Sequence, residues 1–235
     1  MKKTPWTYIP SLYLAEGLPY IIINTVSTVL YADLGFSNDK IAFWTGWLYL
    51  PWILKMFWSP LVDAKSTKRR WLLGAQMVLS GLFLLLAGLT ALEAFRFAQG
   101  NSSLTFFTLS LFGFLAGAFV SATLDIATDG YYLLALTPQE QSKFVGIRTI
   151  FYRLAMILGS GALISATAAL GNKTPETSWN LVSWPYNWAV MFGFLGVLFM
   201  GFVFYHAWML PKPEQDKPVH KNGAMAWADS FKTYF

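Results

Sequence analysis

Residues 104–124 read LTFFTLSLFGFLAGAFVSATL, and this stretch decides the fold class. It contains no Asp, Glu, Lys or Arg, and the same holds for residues 71–92 and 186–210. Each stretch is long enough for a helix to cross about 30 Å of hydrocarbon, which takes roughly 20 residues. None of them has the polar face that a surface helix of a soluble protein needs. The sequence therefore predicts an all-α, polytopic membrane protein.

The composition agrees with this prediction. Of the 235 residues, 55% are apolar and 12% are charged, whereas roughly a quarter are charged in a soluble domain. The absence of cysteine excludes disulfides, thiolate metal sites and cysteine nucleophiles. The net charge of +5 indicates cytoplasmic loops of a membrane protein rather than nucleic-acid binding. We expect no catalytic residues, no cofactor, no metal and no nucleic-acid partner.

Six transmembrane spans are predicted, numbered here in chain order. They cover residues 8–32, 40–62, 71–92, 104–126, 145–169 and 186–210. Residues 1–210 thus form a six-helix bundle, and residues 211–235 form a cytoplasmic linker. The linker ends in an amphipathic segment, residues 224–235, that leads towards a second half missing from this chain.

Lysine and arginine residues predict the orientation of the spans, because cytoplasmic loops carry an excess of both. Three lie inside the spans, namely Lys55, Arg148 and Arg153. Three more fall on one side, namely Lys40, Arg96 and Lys173. The other eleven fall on the opposite side: Lys2, Lys3, Lys65, Lys68, Arg69, Arg70, Lys143, Lys212, Lys217, Lys221 and Lys232. That side is predicted to be cytoplasmic, with both termini inside.

The junction of spans two and three carries a recognisable loop motif. Residues 59–70 read SPLVDAKSTKRR, which resembles the signature of the major facilitator superfamily, although Ser59 replaces the usual glycine and Ala64 the usual basic residue. The resemblance implies that Asp63, with Arg69 and Arg70, takes part in gating at a helix end. The alternative is a solvated positive-inside loop resting on anionic lipid.

Three further stretches narrow the resemblance. Residues 14–20 (LAEGLPY), 50–61 (LPWILKMFWSPL) and 125–131 (DIATDGY) occur in this order. Together they resemble AmpG-type permeases, which import anhydromuropeptides from cell-wall turnover, and their relatives the acetyl-CoA transporters. The resemblance implies half of a twelve-span major facilitator, built from two three-helix repeats. It also implies proton-coupled import of a small solute across a bacterial inner membrane, with a second six-helix half or a second copy as partner.

Two ionisable residues lie deep inside the spans. Glu16 and Arg153 are each roughly 12–14 Å from the cytoplasmic side at 1.5 Å per residue. A charge near the membrane centre costs about 2.5–3.5 kcal/mol on insertion scales. Both side chains are therefore expected to face a cavity or each other. We predict that Glu16 takes part in proton coupling and that Arg153 attracts substrate carboxylates; the alternative is a static pair joining spans one and five.

Further substrate-binding candidates follow from helix periodicity. Tyr20 and Asn24 share a helix face with Glu16 at four-residue steps. Tyr152 in span five is another candidate. Lys55 in span two either lines the cavity or extends its long side chain to the cytoplasmic surface.

Asp125 and Asp129 lie one helical turn apart near the end of span four. Arg148, at a similar depth in span five, is predicted to pair with one of them in a cytoplasmic-side network that also gates. A membrane prenyltransferase-like enzyme would use these aspartates to hold Mg²⁺ on a diphosphate, but it needs a second acidic motif that the sequence lacks. A channel, or a transporter of acetyl-CoA, a sugar or a drug, remains an alternative.

Overall fold

The computed structural model describes residues 4–97, 104–173 and 186–218. Within these ranges all regular structure is helical. Most of the connection between predicted spans five and six, and the whole amphipathic segment at 224–235, lie outside the described residues. So do four of the lysines used to predict the orientation, namely Lys2, Lys3, Lys221 and Lys232.

Span one is a helix with one widened turn. Helix α1 covers Ile9–Ile21, a π-helical turn covers Ile22–Val26, and α2 covers Ser27–Asp33. Pro19 lies inside α1 and has no N–H to donate to the carbonyl four residues earlier. Its position just before the π-helical turn explains where the hydrogen-bonding pattern changes.

Span two, predicted as one helix, is broken into short helices. Its pieces are α3 (Asn38–Gly46), a 3₁₀ turn (Trp47–Tyr49), α4 (Leu50–Leu54), a second 3₁₀ turn (Lys55–Phe57) and α5 (Ser59–Lys65). Pro51 and Pro60 lie in the first turns of α4 and α5, where a missing N–H costs least. Lys55 therefore lies at a break in span two rather than in a continuous helix.

Spans three to six are confirmed as long apolar helices. Among the described residues, four helical stretches are long and apolar enough to cross a membrane. They comprise α6 (Lys68–Phe97), α7 (Leu104–Ala135), α8 (Pro138–Ile157) continued by a π-helical turn (Leu158–Leu163) and α9 (Ile164–Lys173), and α10 (Tyr186–Met209).

Several helix ends differ from the prediction. Helix α6 continues through Glu93, beyond the predicted end of span three at residue 92. Helix α7 continues past residue 126, the predicted end of span four, to Ala135. Helix α8 starts at Pro138 because Thr137 and Glu140 form a reciprocal capping box. Hydropathy identifies only the apolar part of a helix, so it does not locate polar helix ends of this kind.

Helix packing brings spans one, two, four and five together. Helix α6 lies along α10 and α7, whereas α1 packs against α8 and α7. At Gly17 the approach is close, because an added Cβ would lie 2.9 Å from both the Tyr152 carbonyl oxygen and the Ala155 Cβ. Of the four long spans, the stretch from α8 to α9 is the least buried.

Candidate functional site

A cluster of charged residues lies where spans one, two, four and five meet. At its centre, the buried Glu16 carboxyl lies beside the Asp125 carboxyl. Glu16 Oε2 is buried and has no hydrogen-bond partner among the described residues. Two neighbouring carboxylates repel each other, so this arrangement favours a proton on one of them.

Two cations neutralise the aspartates. Lys55 Nζ forms an ion pair with Asp125 Oδ2. Arg148 Nη1 lies 3.3 Å from Asp129 Oδ1, which also accepts a hydrogen bond of 2.9 Å from the Tyr13 hydroxyl. The predicted pairing of Arg148 is thus found with Asp129, whereas Asp125 is engaged by Lys55.

Aromatic rings hold Arg148 in place. Its guanidinium carbon lies 5.1 Å from the centres of the Tyr13 and Tyr132 rings, within the range of cation–π attraction. Tyr13 thus contacts both partners of the Arg148–Asp129 pair. This arrangement fixes α1, α7 and α8 to one another through a single charged contact.

A second group of rings lies beside the cluster. Tyr20 contacts Trp52 at a centroid distance of 5.0 Å, Tyr49 at 6.3 Å and Tyr152 at 6.4 Å. Tyr152 is also within electrostatic range of Glu16. We call Tyr20, Tyr49, Trp52 and Tyr152 the aromatic wall. Aromatic faces next to charged groups suit a ligand that is amphipathic and charged.

A cavity of about 550 Å³ connects the cluster with the predicted loop motif. Lys55 and Asp129 line one part of it, and Asp63 and Lys68 line another. Asp63 forms an ion pair with Lys68. The Lys68 side chain crosses Gly130 so closely that a Cβ there would lie 2.6 Å from Lys68 Cε. The Asp63–Lys68 pair therefore lies against the end of α7 that carries Asp129.

The two arginines of the motif lie at the start of α6. Arg69 Nη2 donates to the Ala207 carbonyl in α10 at 2.7 Å, and Arg70 is exposed. Asp216, from the segment after α10, accepts hydrogen bonds from the backbone N–H groups of Lys68 (2.6 Å) and Arg69 (3.0 Å). The segment after span six is therefore attached to the loop between spans two and three.

Glu16 and Arg153 do not face each other, whereas the expectation that Arg153 faces a cavity stays a prediction. The charged groups nearest Glu16 are Asp125, Asp129 and Arg148, whereas Arg153 lies on the exposed face of α8. Arg153 follows Arg148 by five residues, so the two side chains point about 140° apart around the helix. The static Glu16–Arg153 pair is therefore absent.

Asn24 lies further along span one. It is buried, and its amide nitrogen donates to the Tyr20 carbonyl at 2.9 Å. Its Oδ1 is buried without a hydrogen-bond partner in the described part of the chain. Asn24 belongs to the π-helical turn. Its unpartnered Oδ1 therefore lies at the point where span one widens.

Sequence reasoning missed four residues that the structure joins to these groups: Tyr13, Tyr132, Lys68 and Asp216. Two of them had a detectable signal, because Tyr13 precedes Glu16 and Tyr132 follows Asp129 by three residues, a spacing that shares a helix face. Lys68 belongs to the basic run of the loop motif, whereas Asp216 had no signal, since its hydrogen bonds with the start of α6 join distant parts of the chain.

The comparison with known proteins decides the family. The family model of the Major Facilitator Superfamily matches residues 11–233. The chain belongs to this superfamily. Its all-α, membrane-embedded fold is that of half a major facilitator.

Individual relatives support the AmpG-type branch. The chain is 30% identical over 166 residues to the putative transporter AmpG 3 of Rickettsia prowazekii, covering 66% of this chain and 36% of that protein. It is 27% identical over 192 residues to the putative transporter AmpG 4 of Rickettsia conorii, covering 80% and 41%. An uncharacterized protein of Schizosaccharomyces pombe is 31% identical over 171 residues, covering 70% and 30%. The chain thus spans between 30% and 41% of the length of these three relatives.

Proposed function

We propose that this chain is half of a proton-coupled importer of anhydromuropeptides, with Glu16 as the residue that carries the coupling proton. The observation behind the proposal is the contact between the carboxyl groups of Glu16 and Asp125 at the meeting point of four spans. The names of the Rickettsia relatives support the branch of the family.

Charge balance gives Glu16 its role. The cluster contains three carboxyl groups, on Glu16, Asp125 and Asp129, but two cations, on Lys55 and Arg148. With Glu16 protonated, each aspartate has one cation and the cluster is neutral. Loss of that proton leaves an extra negative charge on the buried Glu16 carboxyl, which is costly unless a cation is redistributed.

Redistribution of a cation links the proton to movement of the spans. A deprotonated Glu16 competes with Asp125 for Lys55 and with Asp129 for Arg148. Since Lys55 lies at a break in span two and Arg148 on α8, either shift loosens one span from α7. Protonation of Glu16 therefore favours one arrangement of the spans and deprotonation another, which is what coupling requires.

The aromatic wall supports a sugar-containing substrate. Tyr20, Trp52 and Tyr152 come from three different spans and lie next to the charged cluster. Rings of this kind cover the apolar face of a pyranose, while Arg153, which forms no ion pair with another described residue, attracts the carboxylates of an attached peptide. Asn24, with its free Oδ1, provides an acceptor on the same span.

The exposed position of Arg153 supports the presence of a second helical body. It lies on the exposed face of the least buried span, and no ion pair joins it to another described residue. An arginine at its depth needs water, an anion or a partner carboxylate. In the proposed arrangement, α8 faces a second six-helix half or a second copy across the substrate path. Asp63, Arg69 and Arg70 then form the gate at the cytoplasmic side of the inner membrane, where both termini lie.

The test is uptake of labelled N-acetylglucosaminyl-anhydromuramyl peptide into proteoliposomes, with and without an imposed pH gradient. The chain is reconstituted alone and together with the second half of a full-length relative. Gradient-driven uptake in either preparation supports the proposal, and the preparation that works identifies the second body. Absence of uptake in both, with the relative itself active, would exclude this substrate.

A further inference from the structure

A basic cavity on the outer surface of the bundle lies away from the charged cluster. It has a volume of about 480 Å³ and is formed by the loop before α6, the first turn of α6 and the segment after α10. Four basic side chains line it, from Lys65, Arg69, Arg70 and Lys212. We call it the basic cavity. Arg69 and Arg70 also belong to the proposed gate, whereas Lys65 and Lys212 have no role in the proposed transport step.

The acidic residue in the cavity wall does not neutralise it. Asp216 is buried, and each of its carboxylate oxygens accepts a backbone N–H at the start of α6. Those hydrogen bonds orient the carboxylate towards the helix, leaving the basic side chains in excess. Nε of Arg69 is buried and lacks a hydrogen-bond partner among the described residues. The cavity thus has surplus positive charge, which suits a phosphate group.

An exposed apolar strip of α6 continues from the basic cavity. Gly74, Gly81 and Gly88 are exposed, and no atom outside the helix lies within 4 Å of a Cβ built on any of them. Their seven-residue spacing places them on one helix face, which Arg70 and Met77 share. The strip from Gly74 to Gly88 is about 21 Å long, more than the half-thickness of a ~30 Å hydrocarbon layer.

We propose that the basic cavity binds the phosphate of an anionic phospholipid, with one acyl chain lying along this glycine strip. The cavity supplies charge at the end of α6, where a headgroup lies, and the strip supplies a flat apolar surface of the right length. A free phosphate would use the basic side chains but not the strip. The bound lipid would hold Lys212 of the segment after α10 against Arg70 of α6.

The test is native mass spectrometry of the full chain in detergent, titrated with phosphatidylglycerol or with zwitterionic phosphatidylcholine. The double variant Arg70→Gln/Lys212→Gln removes two exposed basic side chains of the cavity. It should bind phosphatidylglycerol roughly 30-fold more weakly, because each basic residue near an anionic lipid surface contributes about 1 kcal/mol. Lys143→Gln, which removes an exposed lysine outside the cavity, should bind within about twofold of the unaltered chain.

A second variant tests the strip. Gly81→Leu fills the open surface without meeting another residue at Cβ, so it should fold and yet bind long-chain phosphatidylglycerol more weakly. Equal binding of phosphatidylcholine, or unchanged affinity in the double variant, would overturn the proposal. Displacement of the lipid by millimolar glycerol phosphate would show a free-phosphate site instead.

Discussion

At the scale of single residues, the account depends on the protonation of Glu16. The Glu16 and Asp125 carboxyls lie side by side, and Lys55 is paired with Asp125. The proton is therefore expected on Glu16, since protonating Asp125 would leave Lys55 facing a neutral partner.

Infrared spectroscopy tests this assignment. The full chain in bilayers at neutral pH should show the carbonyl band of a protonated carboxylic acid. Glu16→Gln should abolish that band, whereas Glu214→Gln, which alters an exposed glutamate, should leave it unchanged. A band that survives Glu16→Gln would assign the proton to another group.

The Lys55–Asp125 pair makes a separate residue-scale prediction. Lys55→Met should lower the free energy of unfolding by roughly 1.5–3 kcal/mol, the usual range for a hydrogen bond to a charged group. The double variant with Asp125→Asn should recover part of this loss, because no unpaired carboxylate remains. Thermal unfolding in detergent measures both effects, and strictly additive losses would show that the two residues do not interact.

The limits of sequence reasoning are clearest for these charged residues. Helix spacing correctly grouped Asp125 with Asp129, because both lie on one helix. It had no means of pairing Lys55 with Asp125, which are 70 positions apart. The depth of Arg153 alone did not show that it lies on the exposed face of α8 rather than against Glu16.

At the scale of helices, the contact between α1 and α8 positions the site. Gly17 allows it, since any side chain there would meet the backbone of Tyr152. The charge-free runs predicted spans three, four and six, but they gave no indication of this contact. Likewise, Pro51 and Pro60 favour interruptions of span two, but they do not by themselves give the number of breaks.

Gly17→Ala should therefore destabilise the chain. An added methyl group in a tight contact costs typically 1–3 kcal/mol, and here it would separate the helices that carry Glu16 and Arg148. Gly146→Ala on α8 is the matched control, because open space surrounds a Cβ there; it should be neutral or slightly stabilising. Equal shifts in thermal midpoint for both variants would contradict the close contact.

At the scale of the whole molecule, the least buried of the four long spans, from α8 to α9, carries Arg153 on its exposed face. Arg153 has no role in the stability of this body, so Arg153→Gln should change the free energy of unfolding by no more than about 0.5 kcal/mol. Gradient-driven uptake by the assembled transporter should nevertheless fall. Loss of stability comparable with that of Gly17→Ala, or unchanged uptake, would argue against a partner on this face.

The central claim is that Glu16 couples proton movement to solute transport. The direct measurement is muropeptide transport in proteoliposomes containing Glu16→Gln, compared with the unaltered protein and with Glu214→Gln. The account predicts that Glu16→Gln still exchanges labelled for unlabelled substrate but no longer accumulates it when a pH gradient is imposed. Accumulation by Glu16→Gln that still follows the pH gradient would contradict the account.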